Sequence, residues 1–159
     1  MRHIISMLVE NRPGVLARVI GLISGRGYNI DSLNVAPTQE VATSRITMTV
    51  PGDDRVLEQV TKQLNKLVDV IKVFDLTEGK YIDRELALVK VCATMKNRSA
   101  VMDLATLCHA EIVAVQNKAM IIQLVGTTDA VDNFLELIKP HGIVEVSRTG
   151  VIAVGKAEG

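Results

Sequence analysis

The chain carries the same hydrophobic pattern twice, and this repeat limits the folds open to it. His3 to Val9 is aliphatic and β-prone and stops at Glu10-Asn11-Arg12-Pro13-Gly14, which reads as a strand and a breaker. Val15, Leu16, Val19, Ile20, Leu22 and Ile23 follow at helical spacing up to Ser24-Gly25-Arg26-Gly27, where glycine can take a left-handed cap. Tyr28 to Thr38 reads as a second strand with polar Asn29, Asp31 and Asn34. Ser44 to Val50 alternates, with Ile46, Met48 and Val50 toward a core and Arg45, Thr47 and Thr49 toward water. Val56, Leu57, Val60, Leu64, Leu67 and Val68 mark a second helix, and Val70 to Leu76 a fourth strand. The order β-α-β-β-α-β is the ferredoxin-like motif, an α+β arrangement with helices on one face of an antiparallel sheet.

The order then recurs. Leu86 to Ala93 reads as a strand and Val101 to Cys108 as a helix. Ile112 to Val115 and Met120 to Val125 read as a hairpin pair. Val131 to Ile138 marks a helix, and Ile143 to Val154 a last strand region. Asn11-Arg12-Pro13-Gly14-Val15 resembles Asn97-Arg98-Ser99-Ala100-Val101, and Val50 and Asp54 align with Val125 and Asp129. The two offsets differ, so the second half is shorter where the first half carries its polar strand. With 159 residues, the expected organisation is two small domains, 1–78 and 81–157, joined at Glu78-Gly79-Lys80.

Composition narrows the function. Hydrophobic residues make up 48% and charged residues 23%, which excludes a disordered chain. Lys plus Arg equals Asp plus Glu at 18 each, so no net positive field draws the chain to nucleic acid. Cys92 and Cys108 sit in apolar stretches and read as small core residues. The N-terminus lacks the apolar run of a signal peptide, and no charge-free stretch of about 20 residues exists to span a membrane. The expected location is the cytoplasm.

Catalytic chemistry is not visible. His3, His109 and His141 have no metal-ligand spacing, and no C-x-x-C, G-x-S-x-G or Walker motif is present. Gly21, Gly25 and Gly27 close a helix and do not follow a strand, so packing and capping explain them better than a phosphate loop. Asp53-Asp54 precede a helix, where carboxylates favour the positive end of the dipole. One feature suggests a ligand. The Asn11 to Leu16 turn joins a strand to a helix, and free amides at a helix start attract a carboxylate. Gly14 permits close approach, and Asn11 offers an acceptor and donors. A helix capped by Asn11 with Pro13 at its first turn would use the same residues. Asn29 adds a polar group on the expected second strand, which favours a ligand site in the first half.

Arg2 to Val19 resembles the opening of an ACT domain. Together with Arg26 to Leu33, Leu57 to Leu67 and Arg84 to Val91, it resembles the regulatory small subunit of acetolactate synthase over essentially the whole chain. The resemblance implies a non-catalytic chain. In that family a large subunit carries thiamine diphosphate, magnesium and usually FAD; no cofactor is expected on this chain. The small subunit raises the large subunit's activity and confers feedback inhibition by valine. The resemblance further implies a homodimer formed through the ACT domain, with valine held by Asn11, Gly14, Val15 and Leu16 of one chain and Asn29 and Ile30 of its neighbour. Gln59 and Gln63, at i and i+4 beside the apolar stripe of the second helix, are candidates for contact with the large subunit, and the shoulder of an amphipathic helix would place them there equally. An amino-acid-responsive transcription module would need a basic reading element, and a ferredoxin-like enzyme would need an acid or base in a cleft.

Overall fold

The computed structural model describes residues 2–76 and 80–156. Met1, residues 77–79, on which Glu78 and Gly79 of the expected linker fall, and residues 157–159 lie outside the described set. The chain groups into two compact units, residues 1–82 with 150–159, and residues 83–149. The expected α+β fold with two tandem βαββαβ halves is borne out.

The first unit begins with β1 (Arg2–Glu10), α1 (Val15–Ser24), β2 (Ser32–Pro37), β3 (Thr43–Pro51), α2 (Asp54–Leu64) and β4 (Val70–Asp75). The sheet order is β2-β3-β1-β4, and each neighbouring pair is antiparallel. The core lies between this sheet and its two helices. Ile5, Met7 and Val9 of β1, Ile46, Met48 and Val50 of β3, and Val15, Val19 and Ile23 of α1 are buried together with Val60 and Leu64 of α2. The helical residues fall on one stripe because positions three and four apart share a face.

Local chemistry sets the helix ends. The Asp53 side chain accepts from the Val56 amide at 3.1 Å, so this carboxylate caps α2. At the end of α1 the Tyr28 amide donates to the Ile23 carbonyl and the Gly27 amide to the Ser24 carbonyl, a Schellman closure. Gly27 has φ +78°, the left-handed conformation that closure requires.

The second unit contains β5 (Tyr81–Cys92) from Asp83 onward, α3 (Arg98–Leu107), β6 (Glu111–Val115), β7 (Ala119–Gly126), α4 (Thr128–Ile138), a 3-10 turn (Lys139–His141) and β8 (Ile143–Arg148). Its sheet order, β6-β7-β5-β8, repeats that of the first unit. Val89 and Val91, Met120 and Ile122, Phe134 and Ile138 are central to its core. The Cys92 expectation fails: Cys92 is exposed at the end of β5, one place past inward-facing Val91, while Cys108 is half-buried against the core.

Two further expectations change. The last strand region is broken at Gly150, φ +79°, into β8 and β9 (Ile152–Gly155). Residues 150–156 group with the first unit. There Val151 and Ala153, 4% and 3% exposed, pack with Ile4 and Leu76. The outer face of β3 is therefore not wet. Thr47 and Thr49 are only 2% and 1% exposed, and β9 packs against β3.

Candidate functional site

The turn between β1 and α1 is built by backbone anchors. The Asn11 amide donates to the Ala42 carbonyl, and the Asn11 Nδ2 donates to the Val41 carbonyl, both at 2.8 Å. Asn11 is thus tied to the β2–β3 connection and is not the N-cap of α1. Gly14 is the N-cap, at φ +85°, and makes no side-chain cap. That conformation favours glycine, because a Cβ would crowd its own backbone.

The result is an open helix start. Val15 donates to the Arg12 carbonyl and Arg18 to the Gly14 carbonyl. The first-turn amides of Leu16 and Ala17 donate to no carbonyl among the described residues. Amides left open at the positive end of a helix attract anions in general. Val15 is buried and fixes the helix, while half-buried Leu16 lines its start. With Nδ2 committed to Val41, the Asn11 Oδ1 is an acceptor without a partner among the described residues.

Charge surrounds the turn. Asp69 pairs with Arg18 at 2.7 Å and Arg12 at 3.3 Å, and Arg12 also pairs with Glu10. A Cβ on Gly14 would lie 3.2 Å from the Arg18 Nη1. Sequence reasoning missed Arg18 and Asp69. Arg18 is four residues after Gly14 and one helical turn above it, a spacing that was available to find it. Asp69 is brought in only by the fold.

Asn29 and Ile30 are not on a strand. They lie in the connection from α1 to β2, which starts at Ser32. The chain reaches β3 at Asp31, whose amide donates to the Thr49 carbonyl at 2.9 Å, and the Asn29 Nδ2 donates to the Asp31 carboxylate at 3.4 Å. Asn29 is exposed, and Ile30 is half-buried against the core. Within one chain these residues do not join the Asn11–Leu16 turn. They follow the far end of α1, whose 10 residues span about 15 Å. Gln59 is exposed on α2. Gln63 is half-buried in a tight notch with Leu22, Ile23, Arg26, Tyr28 and Val60.

The second half does not reproduce the turn. Asn97 precedes α3, but its Oδ1 accepts from the Thr94 amide at 2.7 Å and its Nδ2 donates to the Cys92 carbonyl at 3.1 Å. Both ends of that amide are engaged within its own unit. Among the described residues no group of His, Cys, Asp and Glu is arranged to hold a metal, and no helix is long and apolar enough to cross a membrane.

Known proteins resemble the chain over both halves. Residues 5–72 match the family described as AHAS small subunit-like ACT domain, and residues 84–157 the family described as small subunit of acetolactate synthase. A probable acetolactate synthase small subunit of Archaeoglobus fulgidus is 47% identical over 154 residues, covering 97% of this chain and 96% of that one. The acetolactate synthase isozyme 3 small subunit of Escherichia coli is 45% identical over 159 residues, with 99% and 98% covered. The crystal structure of the acetolactate synthase small subunit from Thermotoga maritima superposes with a TM-score of 0.89 at 34% identity, covering 99% of both chains. With both halves matched and the fold shared end to end, the chain belongs to the acetolactate synthase small-subunit family.

Proposed function

We propose that this chain is a non-catalytic regulatory subunit that stimulates a thiamine diphosphate-dependent acetolactate synthase large subunit in the cytoplasm and makes it sensitive to valine. The observation that carries the valine assignment is the open start of α1 at Gly14, beside the Asn11 Oδ1, which has no partner among the described residues. The carboxylate of valine suits the amides of Leu16 and Ala17. Its ammonium suits the side-chain carbonyls of Asn11 and Asn29, and its isopropyl group suits Val15, Leu16 or Ile30.

A homodimer follows from this assignment. The turn and the Asn29–Ile30 segment lie beyond opposite ends of α1, so one ligand meets both only when a second chain supplies one of them. β2 is an edge strand of its sheet and available for that pairing. Burying the isopropyl group contributes roughly 1.5 to 3 kcal/mol. Sub-millimolar binding needs about 4 to 8 kcal/mol, so the polar contacts carry the rest. Inhibition requires valine to favour the inhibited arrangement of the complex over the active one. Thiamine diphosphate, magnesium and FAD are assigned to the large subunit, and Gln59 and Gln63 remain candidates for contact with it.

The test is reconstitution. The purified chain is added to its catalytic subunit, and acetolactate formation is followed with and without valine. Stimulation that valine reverses is the expected result. Acetolactate synthesis by this chain alone, or a catalytic subunit indifferent to it, overturns the assignment.

A further inference from the structure

The segment Gly150–Lys156 comes from the far end of the sequence yet docks on the first unit. Its backbone passes so close to Ser32 that a Cβ on Gly150 would lie 2.9 Å from the Ser32 Cβ, 3.3 Å from its Oγ and 3.5 Å from the Leu33 nitrogen. Gly150 also sits at φ +79°, where an L side chain is strained. Both facts require glycine there. Val151 and Ala153 then bury themselves against Ile4 and Leu76, which fixes the segment over the sheet.

Ser32 is the first residue of β2 and the end of the segment that carries Asn29 and Ile30. Its Oγ lies 2.7 Å from the Thr49 Oγ1, and the Asp31 amide beside it is bound to the Thr49 carbonyl. Asn29 in turn leans on the Asp31 carboxylate. The start of β2 is therefore held by β3 through Thr49 and is overlain by Gly150. Resting on the valine site proposed above, we infer that Gly150 is a positioning residue for that site. The C-terminal segment clamps Ser32 and so sets where Asn29 and Ile30 stand. It touches no ligand itself; it restricts the positions from which the second chain's half of the site can be offered.

The experiment is valine titration calorimetry on the full-length chain, with melting and sedimentation recorded for each variant. Gly150→Ala is expected to weaken valine binding at least tenfold while the chain remains a folded dimer. Ser32→Gly removes the atoms that the new methyl would meet. The double variant G150A/S32G keeps the backbone strain but not the clash with Ser32, so Gly150→Ala is expected to cost less valine affinity in the Ser32→Gly background than in the wild type. Wild-type affinity in folded Gly150→Ala overturns the inference. So does an equal loss from Gly150→Ala in both backgrounds, because the effect would then not pass through Ser32. Should Gly150→Ala not fold, Val151→Ala thins the buried anchor and carries the same test: weaker valine binding supports the clamp and wild-type affinity overturns it. Gly14→Asp separates this inference from the one beneath it. Lost binding in Gly14→Asp with wild-type binding in Gly150→Ala removes the clamp alone, whereas unaltered binding in Gly14→Asp removes the valine site and the clamp together.

Discussion

Asn11 Nδ2 donates to the Val41 carbonyl at 2.8 Å across 30 positions of sequence, tying the turn that opens α1 to the connection between β2 and β3. The bond fixes the side-chain amide so that its Oδ1 has no partner among the described residues. Asn11→Ala removes both the tie and the acceptor. Because the residue is exposed, folding stability should fall by only about 0.5 to 1.5 kcal/mol. Valine inhibition should weaken at least about tenfold, since a charge-assisted hydrogen bond contributes about 1.5 to 3 kcal/mol. Thermal melts and inhibition curves of the reconstituted enzyme check the two halves of this expectation.

Gly14→Asp places a side chain at φ +85° and a carboxylate beside the Arg18 guanidinium. The added charge occupies the region assigned to the ligand carboxylate and repels it. The backbone strain should cost about 1 to 2 kcal/mol. The variant should still stimulate the catalytic subunit and no longer respond to valine. An unaltered inhibition curve would place the site elsewhere.

Asn29→Ala removes an exposed side chain and should leave stability nearly unchanged while valine sensitivity is lost. Its informative use is in mixture with Gly14→Asp. In a two-fold dimer whose site takes the turn from one chain and Asn29 from the other, a mixed dimer has one site with both substitutions and one with neither. Random mixing of equal amounts should therefore restore valine binding at about a quarter of all sites. Calorimetry on the mixture decides this, and no recovery would mean that both residues act within one chain.

Glu85 is buried, pairs with Arg148 and accepts from the Thr128 hydroxyl at 3.3 Å; Arg148 also reaches Asp132 at 2.9 Å. The hydrogen bond to Glu85 is the largest cause raising the Arg148 pKa above its ordinary value, opposed by desolvation and assisted by Asp132. A raised pKa contributes stability that is full below the unfolded value and is lost only as pH rises through the folded one, so this contribution is constant through the neutral range. Glu85→Ala removes the buried partner and leaves the guanidinium with Asp132 as its carboxylate. Because Arg148 is about one-third exposed, the loss should fall below the roughly 3 to 5 kcal/mol of a fully buried pair, at about 1 to 3 kcal/mol. Denaturant melts should show this loss, and valine affinity should remain.

The repeat, the strand and helix order and the two cores were legible in the sequence because they depend on local spacing. Val15, Val19 and Ile23 lie on one face of a helix whatever surrounds them, as do Ile46, Met48 and Val50 on a strand. The glycine closure of α1 was legible for the same reason, and Asp53 was placed at a helix start through its charge, though its bond to the Val56 amide was not read. The open turn at Gly14 was half legible. The strand-to-helix break located it, but Asn11 was read as a possible cap because its true acceptor, the Val41 carbonyl, is remote in sequence.

Tertiary structure decided what depends on distant partners. Alternation assigned Thr47 and Thr49 to water, yet they are buried because a strand from the end of the chain packs over that face. Asn29 and Ile30 looked like strand residues, but β3 captures the chain only from Asp31 and Ser32 onward. The pairing of Asp69 with Arg18 and the seat of Gly150 against Ser32 have no local signature at all. Periodicity records which face of an element is apolar. Only the folded chain determines which surface covers that face and which backbone comes near enough to exclude a side chain.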